Sequence, residues 1–144
     1  MHHATPWKSY RQIATQTAPP GQLILMLYEG AIRALERALP AFDFKDPGES
    51  ISTIHNNLQR ALDIVRELNM ALNLEKGGDC ATNLRRLYNY IEKRIWESNL
   101  KKNRVGVEES IGHLTVLRDA WSTMLKNQDL TPANESPTPS LVPA

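Results

Sequence analysis

Residues 107–127 read VEESIGHLTVLRDAWSTMLKN, and their spacing decides the fold class. Val107, Ile111, Leu114, Leu117, Trp121 and Leu125 recur at intervals of three and four, the seam of a helix packed lengthwise against others. Three further segments carry the same repeat. From Pro20 to about Ala41 the stripe is Leu23, Ile24, Leu27, Ala31, Ala34, Leu35, Ala38 and Leu39. From about Ser50, the expected N-cap, to Leu74 it is Ile54, Leu58, Ala61, Leu62, Val65, Leu68 and Leu72. From about Asp79 to Lys102 it is Leu84, Leu87, Tyr88, Ile91, Ile95 and Ser98, with Tyr90 and Trp96 projecting elsewhere.

Pro19-Pro20-Gly21, Asp46-Pro47-Gly48, Gly77-Gly78 and Gly106 punctuate these segments, and Gly77-Gly78 is expected to stop the helix before it. No window alternates apolar and polar residues as a strand would. Long helices joined by short breaks pack as antiparallel neighbours, so the expected fold is all-α, an up-down four-helix bundle. Leu62 and Trp121 are assigned to its core. A short amphipathic stretch from Trp7 to Thr17, with Tyr10, Ile13, Ala14 and Thr17 in helical register, is expected to add a small N-terminal helix. At that length a helix is marginal unless docked. The expected organisation is an extension over residues 1–6, the bundle over 7–127, and a disordered Pro-rich tail over 128–144.

Composition removes several classes of function. The 144 residues hold 17 basic and 16 acidic side chains, a net charge of +1 that sets up no general attraction to nucleic acid or an anionic membrane. No apolar run is long enough to enter a bilayer as a spanning helix. The single cysteine, Cys80, excludes an internal disulfide and a Cys-rich metal site. With one thiol and no secretory pattern in Met1–Thr17, the cytoplasm is the expected compartment. Glu108 and Glu109 precede His113 at the wrong spacing for a di-iron motif, and His55 stands alone in its helix. No phosphate loop or nucleophile elbow occurs, so no enzyme, cofactor or metal is expected. Arg85, Arg86, Asn89, Lys93 and Arg94 could imitate a DNA-reading helix, but the helices are too long and the charge too balanced.

What remains is surface. Apolar residues exceed one stripe per helix, chiefly at Leu25, Met26, Ile32 and Ile64. The bland reading covers this excess with the first segment, or uses it for self-association in a structural bundle. The sharper one is a groove for an amphipathic segment of another protein, for which Met and Tyr are adaptable contacts.

Particular residues sharpen the choice. Tyr10, then Thr17-Ala18-Pro19-Pro20-Gly21-Gln22-Leu23, then Leu25-Met26-Leu27-Tyr28-Glu29-Gly30-Ala31-Ile32 resembles the opening of the FliS family. Ile64-Val65-Arg66-Glu67-Leu68-Asn69 with Leu72-Asn73, and Leu87-Tyr88-Asn89-Tyr90 with Arg94-Ile95 and Ser98-Asn99, are similar to two of its later helices. Leu117-Arg118-Asp119-Ala120-Trp121 is similar to its last. Pro20, Glu29, a longer loop around Ala41–Glu49 and the Pro-rich tail depart from the pattern.

The resemblance implies a cytoplasmic chaperone. It would bind the disordered C-terminal region of flagellin, prevent premature polymerisation, and deliver the subunit to the flagellar type III export apparatus. The expected apolar contacts to that segment are Leu25, Met26, Ile32, Ala61, Ile64 and Leu68, and the expected polar ones Asn57, Arg60 and Asn69. Tyr10 and Ile13 are expected to fold over the same surface and compete with cargo. An export-gate component, a co-chaperone, a regulator or a homodimer stays open as a further association.

Overall fold

The structure, a computed structural model, describes residues 20–130. The extension over 1–6, the amphipathic stretch of Trp7–Thr17 and residues 131–144 of the tail lie outside them.

Four helices follow one another: α1 (Pro20–Ala38), α2 (Pro47–Met70), α3 (Leu74–Lys101) and α4 (Val105–Leu130). A short 3-10 helix, Leu39–Asp43, links α1 to α2. The α-helix ends before the expected Ala41 because Pro40 lacks an N–H and its ring collides with the carbonyl four residues back. Asp46, not Ser50, caps α2: its Oδ2 accepts from the Glu49 N–H at 3.0 Å, with Pro47 in the first turn. The Ser50 hydroxyl instead donates to the Ala41 carbonyl at 2.6 Å and ties α2 to the preceding turn.

The break between α2 and α3 falls at Ala71–Asn73, earlier than the two glycines suggested. Asn73 caps α3 by accepting from the Lys76 N–H at 3.0 Å. Gly78 then kinks α3 just past its first turn, at φ 55 and ψ −136, a conformation open to glycine. Lys102 closes α3 in the left-handed region, and Asn103 accepts from the Val105 N–H at 2.8 Å to open α4. That helix continues to Leu130, three residues beyond the expected end of the bundle.

The helices form a ring in which α1 packs on α2 and α4, and α3 packs on the same two. This is the expected antiparallel four-helix bundle. Leu62 and Trp121 are buried in it, as expected. The Trp121 indole donates to the Gly21 carbonyl at 2.7 Å and pins the start of α1 to α4. Gly106 lets α4 come close to α3, since a Cβ there would stand 2.6 Å from the Arg94 carbonyl oxygen and run into the Ser98 hydroxyl.

Candidate partner-binding surface

Each helix of a ring faces the centre and two neighbours, so it needs an apolar arc wider than one stripe merely to fold. That requirement absorbs part of the apparent excess. Ile32, Ala61, Ile64 and Leu68 are 4%, 0%, 1% and 2% exposed and belong to the core. The expectation that they lie open on the surface is corrected accordingly. Gly30 is one reason: with no side chain there, α2 comes close enough that the Ile64 Cδ1 lies 3.4 Å from where a Cβ would stand. Leu25 and Met26 are half-buried, and Leu25 packs against the core from the side.

The polar residues divide as well. The Asn69 amide donates to Asn89 at 2.8 Å and to Glu92 at 3.0 Å. Its side-chain oxygen accepts from Arg85 Nε at 3.0 Å, and its carbonyl from Arg85 Nη2 at 3.1 Å. Arg66 reaches Glu92 at 3.3 Å beside them. Asn69 is therefore a cross-link between α2 and α3, its amide and its side-chain oxygen both engaged within the chain. Asn57 donates to the Thr53 carbonyl of its own helix at 2.9 Å and keeps its side-chain oxygen. Arg60 is half-buried, and its Nε is sealed from solvent with no hydrogen-bond acceptor. Tyr10 and Ile13 lie outside the described residues.

Thus Met26, Asn57 and Arg60, with Leu25 beside them, remain accessible in part along α1 and α2. Sequence periodicity missed a second set. Ile51 on α2 and Trp96 and Leu100 on α3 are 52%, 55% and 65% exposed. Ile51 stands one turn before His55 and Trp96 one turn before Asn99, and the Asn99 amide and His55 Nδ1 share a hydrogen bond at 3.0 Å. Val105 and Val116 are exposed on α4, and Phe44 on the loop before α2. The signal for Trp96 was present, because it stands off the stripe of its own helix.

On the opposite side of α3, Tyr90, Arg94, Glu109 and His113 form a polar cluster. Arg94 Nε lies 3.5 Å and His113 Nε2 3.8 Å from Glu109, and the Tyr90 and His113 rings meet edge to face. The Tyr90 hydroxyl, then the Arg94 and His113 charges, hold the Glu109 carboxyl below its ordinary range. The same carboxylate raises the Tyr90 phenol. The cluster joins the surfaces of α3 and α4. Among the described residues no group of His, Cys, Asp or Glu could hold a metal ion, and no helix is long and apolar enough to cross a membrane.

Residues 3–128 match the family described as "Flagellar protein FliS". The chain is similar to the flagellar secretion chaperone FliS of Salmonella typhimurium, 37% identical over 128 residues, 84% of this chain and 90% of the relative. It is similar to that of Bacillus subtilis, 30% identical over 123 residues, 85% and 88% of the two chains. It is 31% identical to that of Escherichia coli over 136 residues, 90% and 96%. The helical ring, its capped turns and a match that spans nearly the whole bundle leave one assignment: the chain belongs to the FliS family of flagellar proteins.

Proposed function

We propose that this chain is a flagellar secretion chaperone whose guest is the disordered C-terminal region of flagellin, held in the cytoplasm until export. The observation that carries the reading is the placement of large apolar side chains outside a ring whose own core is already full. Ile51, Trp96, Leu100, Val105 and Val116 lie on three different helices. A compact partner would want one contiguous patch. An extended guest that wraps the bundle uses scattered footholds, each helping to offset the entropy it loses on ordering.

In this reading Leu25, Met26, Asn57 and Arg60 touch the guest on the α1–α2 side. Ile32, Ala61, Ile64 and Leu68 support that side from beneath, and Asn69 fixes the turn at its end. Tyr10 and Ile13 compete for the same surface in the free chain, so removal of residues 1–17 tightens guest binding. Calorimetry with the truncated chain reads this directly, and unchanged affinity removes the competition from the account.

The primary test is co-elution of an equimolar mixture with flagellin from a sizing column, with flagellin lacking its C-terminal segment as control. Co-elution of intact flagellin alone supports the proposal. Independent elution of intact flagellin refutes it and favours a bundle that associates only with itself.

A further inference from the structure

Arg60 and Arg94 each have an Nε sealed from solvent without a hydrogen-bond acceptor, but Arg94 pairs with Glu97 and Glu109. Arg66, Arg85, Arg94, Arg104 and Arg118 each lie against a carboxylate or an amide oxygen. Arg60 has none, although its Nε is closed off from water. A guanidinium N–H without an acceptor in a place solvent does not reach is costly, and native proteins rarely keep one without a use.

Two arginines of α1 share the edge that faces it. On α1, Met26, Gly30, Arg33 and Arg37 are spaced by four, three and four residues and so form one edge of the helix. On α2, Asn57, Arg60 and Ile64 form the facing edge by the same spacing. The close approach of Ile64 to Gly30 joins the two edges. Arg33 and Arg37 are exposed, and among the described residues no ion pair forms on either of them or on Arg60. Acidic residues stand near as well, Glu29 four residues before Arg33, Glu36 three after it and Asp63 three after Arg60, but Asp63 is turned to Gln59 and Arg66 and none of the three forms an ion pair with Arg60.

We infer that the α1–α2 edge seats a carboxylate side chain of the guest against Arg60, with Arg33 and Arg37 as further cations on the facing edge. The inference rests on the proposed guest and specifies its chemistry: an acidic residue flanked by apolar ones that settle near Met26 and the notch at Gly30. On arrival of that carboxylate the Arg60 side chain turns outward, and Nε and Nη donate two parallel hydrogen bonds to it. The free chain thus carries an unmet donor that the guest satisfies. Arg33 and Arg37 draw the acidic segment in through longer-range attraction, which salt screens.

The test uses a fluorescent peptide of the flagellin C-terminal region and anisotropy titrations across a salt series. Arg60→Met keeps most of the apolar stem and removes the fork. It is expected to weaken binding about tenfold at low salt, the equivalent of about 1.4 kcal/mol, and to flatten the salt dependence. Arg60→Lys keeps the charge without the fork and should recover only part of the affinity. Circular dichroism establishes that each variant folds, and if Arg60→Met does not, Arg60→Lys carries the test alone. Peptides with single acidic residues changed to amides then identify the partner, as the one whose change adds no further loss to Arg60→Met. Equal affinity of parent and folded variants at every salt concentration overturns the carboxylate seat while leaving the chaperone reading intact. Failure of the parent chain to bind the peptide at all overturns both.

Discussion

The phenol hydroxyls of Tyr28 on α1 and Tyr88 on α3 meet in a hydrogen bond across the centre of the bundle. These helices are diagonal partners in the ring, so the bond spans the core rather than a seam. Both rings are 2% exposed, and each hydroxyl gives the other the partner that water cannot supply.

Tyr88→Phe should therefore strand the Tyr28 hydroxyl and destabilise the fold by about 1–3 kcal/mol. Replacing both tyrosines by Phe should cost less than the sum of the single changes, because no orphan remains. A double-mutant cycle by urea denaturation measures the difference, and strict additivity would show that the hydroxyls do not couple.

The same pair predicts an alkaline limit. Burial raises both phenols above the ordinary value of 10.0. A group raised in the folded state contributes fully below its unfolded pKa and loses that contribution as pH rises toward the folded one. Stability should hold up to about pH 10 and then fall by up to ~1.4 kcal/mol per pH unit for each phenol. The Tyr28→Phe, Tyr88→Phe double variant should lose less over that range in pH-dependent denaturation.

Gly106 and Gly112 lie in the same helix and should respond oppositely to alanine. A Cβ at Gly106 meets the Arg94 carbonyl and Ser98, whereas one at Gly112 meets nothing within 4 Å. Gly106→Ala should destabilise by about 1–3 kcal/mol through forced separation of α3 and α4. Gly112→Ala should stabilise by about 0.5–1 kcal/mol through better helix propensity. Thermal melts of the two variants check both signs.

Glu109 should titrate below an ordinary glutamate because of the Tyr90 hydroxyl, with Arg94 and His113 adding to it. A depressed carboxyl stabilises the fold above its unfolded pKa and loses that contribution as pH falls through the folded one. Tyr90→Phe should move the Glu109 midpoint upward in a side-chain NMR titration. An unmoved midpoint would remove the hydroxyl as the chief cause.

Trp96 is the clearest separation of binding from folding. At 55% exposure, Trp96→Ser should leave stability within about 0.5 kcal/mol. If the proposed guest wraps this side of the bundle, the same change should weaken its binding. Parallel denaturation and anisotropy on one preparation distinguish the two effects.

The sequence by itself determined the four helices, their order and most of their buried residues, because the period is a local property, whereas the caps at Asp46 and Asn73 were not the ones it suggested. It placed Leu62 and Trp121 in the core and carried the family motifs from Tyr10 to Trp121. The tertiary structure decided which flank of each apolar arc is covered. Ile32 and Ile64 looked like surplus along their own helices, yet neighbouring helices bury them. It also separated Asn69 from Arg60, two polar residues of α2 that read alike in sequence. Arg85, Asn89 and Glu92 of α3 stand level with Asn69 and bond to it, while Arg60 meets no acceptor. Periodicity reports the faces of one helix, whereas the group that stands opposite a face is set by the depth and register at which the next helix packs.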